Sequence, residues 1–116
     1  MDERIEKWLY DVRFAIEEIE MFLHEHEVTD FTEYRPHVML KRAVERDLEI
    51  IGEAVNRIIK REPGYLGKIS QAKAIIGLRN EVIHGYDSIS DENIWSVLVN
   101  HLPKLKVEVE IILERR

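Results

Sequence analysis

Apolar residues recur along this chain every three or four positions, and nowhere do they alternate with the period of two that marks a strand. Ile5, Leu9, Val12, Ile16, Ile19 and Leu23 form one stripe, with Glu, Lys and Arg on the other faces. It predicts a first helix over roughly residues 2–26, closed by the polar stretch from Glu25 to Asp30. Leu40, Val44, Leu48, Ile51, Val55 and Ile58 predict a second helix, from about Asp30 or Thr32 to Arg61. Asp30 and Glu33 have capping-box spacing, while Pro36 leaves that boundary open by a turn. Gly52 falls mid-helix, where glycine costs about 1 kcal/mol relative to alanine; a glycine there lets another helix approach closely. Pro63-Gly64 and Gly67 mark a loop. A third helix is expected from Ser70, as N-cap, to Gly85, as the residue just past its end. A fourth begins after Ser90, carries Ile94, Leu98, Leu102, Leu105, Val109 and Ile112, and should be kinked by Pro103.

These stripes predict one all-α domain over residues 1–116, an up-and-down bundle of four to five helices. Some faces are wider than a small bundle can bury. Trp8, Phe14, Met21 and Phe22 broaden the first helix, and Val97, Val99, Ile111 and Leu113 the fourth, so a homodimer is expected. The 116 residues include no cysteine, which excludes a disulfide framework, a thiol nucleophile and a Cys-type zinc site. No apolar run approaches the roughly 20 residues that span a bilayer. The residues Met1-Asp2-Glu3-Arg4-Ile5 lack an apolar signal region. The expectation is a soluble, cytoplasmic protein with no membrane contact.

Five histidines are the first candidates for chemistry. His24 and His26, two apart on a helix, point away from each other and do not converge on a metal; His37 and His101 look isolated. His84 sits in a different setting, Gly77-Leu78-Arg79-Asn80-Glu81-Val82-Ile83-His84-Gly85-Tyr86-Asp87, with four chemically capable side chains within eight residues. Asn80 and His84 share a helix face, whereas Arg79 and His84 lie roughly 140° apart. A joint site then needs the helix to end between them, or a second copy across a two-fold axis. Glu81-Val82-Ile83-His84 has the Glu-x-x-His form of di-iron bundles, but no second such unit exists in the chain, so no metal is expected. By spacing alone, the string also reads as an ordinary helix C-terminus, with His84 on the dipole and Gly85 as the cap.

Arg79-Asn80-x-x-x-His84-x-Tyr86 resembles the Arg-x4-His signature of HEPN domains, in the extended form of the HepT-like toxins. Ala43-Val44-Glu45-Arg46-Asp47-Leu48-Glu49-Ile50-Ile51-Gly52-Glu53-Ala54 is similar to the second-helix block of that family. Ile76-Gly77-Leu78, Ile94-Trp95 and Leu102-Pro103-Lys104-Leu105 extend the likeness over nearly the whole chain. The family often carries a Trp shortly before the motif, where this chain has Gln71-Ala72-Lys73. The resemblance implies a helical-bundle homodimer, the toxin of a type VII HepT/MntA pair, that cleaves RNA without a metal or other cofactor. Its partner would be an MNT-type nucleotidyltransferase antitoxin, which uses ATP to place AMP on Tyr86. His84 would then move protons, Arg79 would stabilise the phosphorane, and Asn80 would orient His84 or the phosphate. The competing class is a HEPN module that binds nucleotide or partner without catalysis, and a plain dimeric scaffold would tolerate substitution at Arg79, His84 and Tyr86.

The net charge of −6 speaks against casual binding to RNA, yet it is unevenly spread. Residues 1–56 carry 7 Lys+Arg against 15 Asp+Glu, and residues 57–86 carry 6 against 2. The basic stretch holds Arg57, Lys60, Arg61, Lys68, Lys73 and Arg79 and ends on the motif. Arg57 and Lys73 are therefore candidates to bind substrate phosphate, and a local basic cleft on an acidic body is expected.

Overall fold

The computed structural model describes the backbone of residues 1–84 and 90–115, and the side chains of residues 1–82 and 90–115. Six α-helices follow one another among the described residues: α1 (Glu3–Glu25), α2 (Phe31–Tyr34), α3 (Val38–Arg61), α4 (Ala72–His84), α5 (Asp91–Asn100) and α6 (Leu102–Glu114). A 3₁₀ turn, Pro63–Gly67, joins α3 to α4. No described helix is long and apolar enough to cross a membrane.

α3 is the central element, packed against α1 on one side and α4 on the other; α6 lies on α1 and α5, and α5 also touches α2 and α4. Every residue of the two leading stripes is enclosed by this arrangement except Leu23, which packs at its edge. Fully buried Tyr34 of α2 lies against Trp95 of α5, with ring centroids 5.2 Å apart. Trp8 and Phe22 pack on the core and Val97 and Leu113 enter it, while Phe14, Met21, Val99 and Ile111 stay exposed. A single chain thus covers half of the apolar excess seen in the sequence.

The ends of α1 are made by different devices. Asp2 caps its start, its carboxylate accepting from the Arg4 and Ile5 amides at 2.8 and 3.1 Å. Its C-terminus closes in a left-handed turn, with Glu27 at φ 54°. The Glu27 amide donates to the His24 carbonyl and the Val28 amide to that of Leu23, the Schellman pair in which glycine is the usual occupant.

Two expected helices are each broken in two. Asp30 caps α2 through the Glu33 amide at 2.9 Å, and Glu33 returns its carboxylate to Thr29, one residue before the expected capping-box partner. α2 nevertheless stops at Tyr34. Pro36 cannot donate the next helical hydrogen bond, and His37 (φ −86°, ψ 87°) leaves the helical region before α3 begins. Pro103, expected to kink the last helix, lies instead in the first turn of α6, where a missing N–H costs nothing. α5 ends at Asn100 and α6 starts afresh at Leu102. Ser90 caps α5 as expected, accepting from the Asn93 amide at 3.0 Å. Ser70 does not cap with its hydroxyl. Its amide donates to Glu108 of α6 at 2.8 Å, so a carboxylate from another helix takes over at the start of α4.

Among the described residues, Asp47 is the one buried charged side chain, 3% exposed, on the α1 side of α3. Burial, then the hydrogen bond and charge of Glu18, push its carboxyl up to about 7. The folded chain therefore keeps a proton that the unfolded carboxyl releases near pH 4, and stability falls as pH rises from about 4 through about 7. Asp47→Asn is expected to be more stable than the wild type at pH 8, by on the order of 1–2 kcal/mol in urea denaturation, with the gap narrowing as pH falls and closing near pH 4. Parallel pH profiles for the two proteins would contradict this.

Gly52 fulfils the expectation of a close helix approach. A methyl group there would collide with Cβ of Arg79 on α4, fall 2.7 Å from its Cγ, and lie 3.3 Å from the Ile75 carbonyl oxygen. Alanine would add about 1 kcal/mol of helix propensity, but α4 would have to move off α3, typically a cost of about 1–3 kcal/mol. Gly52→Ala is therefore expected to lower the thermal midpoint by several degrees; a rise would show that the contact yields easily.

Candidate active site

α4 is held at both ends of its described side chains. Near its start, Glu108 takes the Ser70 amide, and His101 meets the Gln71 side-chain oxygen through Nδ1 at 2.5 Å. Two turns later, Arg79 lies directly on the Gly52 backbone. Since Arg79 begins from a fixed Cβ, only the far part of its side chain remains to be placed.

That part is placed by a carboxylate oxygen and an amide oxygen. Arg79 donates from Nη2 to Glu53 of α3, and from Nη1 to Asn80 Oδ1 at 2.9 Å. Its Nε is buried without a partner among the described residues. The second oxygen of Glu53 accepts from Arg57 Nε at 3.0 Å, so one carboxylate bridges two guanidinium groups from different helices. The Arg79 side chain is 20% exposed and that of Arg57 55%, which makes Arg79 the fixed member and Arg57 the outer one. Beside this cluster a cleft of about 300 Å³ runs between α1 and α3, lined by Trp8, Asp11, Arg46, Glu49, Ile50 and Glu53.

The structure brings together three of the sequence-predicted residues: Arg79 bonds directly to Asn80 and shares Glu53 with Arg57. Lys73 is not among them; it lies on α4 in a separate groove against α5, with Gly77, Glu81, Asn93 and Ser96. His84 closes α4 one turn beyond Asn80, and its side chain lies outside the described residues, as do Gly85 and Tyr86. His37 and His101 are not isolated. His37 meets His26 edge-on with ring centroids 5.7 Å apart, and His101 joins the α5–α6 junction to the start of α4.

Sequence reasoning missed Glu53. A glutamate on a charged helix face carries no signal by itself, and its partner stands 26 residues away. The basic stretch is also less basic once folded. Arg61 pairs with Asp2 at 2.9 Å, and Arg57 and Arg79 share Glu53. Acids from the first half of the chain fold back onto it.

Chemically, the cluster presents a permanent cation of fixed orientation, Arg79, with an amide beside it and joined through Glu53 to Arg57 at the rim of a cleft. Arginine is always ionised and offers a planar fork that matches phosphate oxygens. The stem beneath it is dry, because Gly52 leaves no room for water under its first carbons.

Comparison with known proteins identifies the family. The description "Ribonuclease HepT-like" matches residues 12–112. A protein of Methanocaldococcus jannaschii, named as a candidate RNase, is 34% identical over 110 residues, covering 93% of this chain and 95% of its own. One from Caldanaerobacter subterraneus subsp. tengcongensis, named in the same way, is 31% identical over 100 residues, covering 86% and 88%. No solved structure matches the chain. With the match running from α1 to α6 and including the Arg79 cluster, the chain belongs to the HepT-like ribonuclease family.

Proposed function

We propose that this ribonuclease cleaves RNA without a metal ion, as the toxin of a toxin–antitoxin pair, and that AMP placed on Tyr86 silences it. The observation that supports this most directly is the Arg79 guanidinium, clamped by Glu53 and Asn80 one turn before position 84.

In the proposed reaction, the ribose 2′-oxygen attacks the adjacent phosphorus while its proton passes to a base. The bond from phosphorus to the 5′-oxygen breaks, and that oxygen takes a proton from an acid. The products are a 2′,3′-cyclic phosphate and a free 5′-hydroxyl. RNA supplies its own nucleophile, so the protein must supply proton transfer near neutral pH and a fixed positive charge for the phosphorane. Histidine suits the first task and arginine the second. His84 is assigned to proton transfer, Arg79 to the phosphorane oxygens, and Asn80 to holding the Arg79 fork. Arg57 would meet a neighbouring phosphate; Lys73, in its own groove, would serve only a longer strand.

Arg79 turns toward α3, roughly 140° around the helix from position 84. A homodimer that sets two such helices face to face would bring the arginine of one copy near the histidine of the other. The exposed Phe14, Met21, Val99 and Ile111 leave apolar surface for such an interface. The partner is proposed to be an MNT-type nucleotidyltransferase, and the transfer forms a bond from the Tyr86 oxygen to the α-phosphorus of ATP with release of pyrophosphate. An added phosphate and nucleoside beside the site would repel and obstruct RNA.

His84→Ala and Arg79→Ala are each expected to lower the cleavage rate by about a hundredfold or more on a single-stranded RNA, with EDTA without effect on the wild type. Cleavage by either variant at the wild-type rate would overturn the assignment, and an EDTA-sensitive wild type would overturn the metal-free reading. For silencing, intact mass after coexpression with the nucleotidyltransferase should show AMP-sized increments that vanish in Tyr86→Phe; increments that persist would place the modification elsewhere.

A further inference from the structure

We infer that Glu53 is a positioning residue for Arg79 and, through its charge, the group against which RNA phosphate must compete for that arginine. The inference rests on the reading of Arg79 as the phosphate-binding group.

Three observations carry it. Glu53 reaches Arg79 from a different helix, and the Arg79 side chain is 20% exposed, so the pair is partly shielded from water. Gly52, the residue just before Glu53, receives the stem of the same arginine. Position 52 thus fixes where the arginine starts, and position 53 fixes where it ends. With Nη2 on Glu53 and Nη1 on Asn80, the plane of the guanidinium is defined by two hydrogen bonds from separate residues. Third, the same carboxylate also takes Arg57, so Arg57, Glu53 and Arg79 together carry one net positive charge rather than two.

Orientation and charge act in opposite directions on the two kinetic constants. The carboxylate repels the incoming phosphate, which weakens ground-state binding. It also holds the fork where the phosphorane oxygens form, which favours turnover. Removing one partly exposed charge a few ångströms away changes transition-state stability on the order of fivefold. Losing orientation at a reacting centre costs on the order of a hundredfold. Orientation therefore decides the sign for kcat, and charge decides it for KM. A residue that merely supported folding would lower activity without tightening RNA binding.

The test is Glu53→Gln in the full chain, which keeps size but removes the charge and leaves one acceptor oxygen where the carboxylate offers two, so Arg79 and Arg57 compete for it and the fork loses its fixed anchor. A fall in kcat of about ten- to a hundredfold is expected, together with a fall in KM of about threefold and a salt dependence of binding steeper by about one counterion. Binding of a non-cleavable 2′-O-methyl oligonucleotide should tighten to the same extent. In an Arg79→Lys background, where no planar fork needs orienting, Glu53→Gln should change kcat by less than about threefold. Should Glu53→Gln fold poorly, Glu53→Asp tests the positioning role alone, because its carboxylate keeps the charge but sits one methylene short: kcat falls and KM stays. Wild-type kcat in both Glu53 variants while Arg79→Ala is inactive overturns this inference alone. So does an equal loss of kcat whether arginine or lysine stands at position 79, or weaker oligonucleotide binding by Glu53→Gln. Arg79→Ala cleaving like the wild type instead overturns the reading on which it rests.

Discussion

The seating of Arg79 on the bare backbone of Gly52 sets the relation between α3 and α4, and much else follows from it. α3 packs against both α1 and α4, so a close seat on α3 ties α4 to the middle of the bundle. α4 carries the catalytic candidates, and it is fixed at its start by two side chains reaching from the α5–α6 region, Glu108 and His101. A functional arginine on such an element needs little further ordering when substrate arrives, because its first carbons are held by contact and its last nitrogens by hydrogen bonds. The same geometry leaves Arg79 Nε without a described partner, an expense of the kind that proteins tolerate at sites of chemistry.

Much of the fold was legible because it rests on periodicity. Leu9, Ile16, Val44, Ile51, Ile58 and Leu105 are buried where their spacing put them. What failed was local and had a common cause: proline's effect depends on its place in a helix, which periodicity does not report. Pro103 lies inside a continuous apolar pattern and Pro36 just ahead of one, yet each marks a junction between two helices. The turn after α1 was also hidden, since Glu27 takes the left-handed conformation where a glycine would have announced it. At the site, Arg79 and Asn80 were visible as a motif, and the mid-helix position of Gly52 signalled a close approach. The identity of the approaching residue, the role of Glu53 and the contact of His101 with Gln71 depend on pairs 26 to 30 residues apart, for which helical spacing has no code.

Electrostatics show the same division between sequence and space. The acidic first half and the basic middle of the chain look like separate territories when written as a line. Folded, they are interleaved, with Asp2 on Arg61 and Glu53 between Arg57 and Arg79. Most such exposed pairs contribute little to stability, at most about 1 kcal/mol each. Their larger effect is on what the surface offers a polyanion. Within the basic stretch, Arg57, Arg61 and Arg79 offer a polyanion a charge that is already shared.

Gly52 also ties two positions together across the chain. So long as residue 79 is a long side chain lying on α3, residue 52 can carry no Cβ without moving a helix. If residue 79 became small, the notch would be an unfilled gap beside the core, and the ordinary preference of helices for alanine over glycine would act on position 52 unopposed. Among descendants of one ancestor, a side chain at 52 would then be a written trace of an arginine that had lost its task. The glycine is in that sense a record, held in a different helix, of whether the site is still in use.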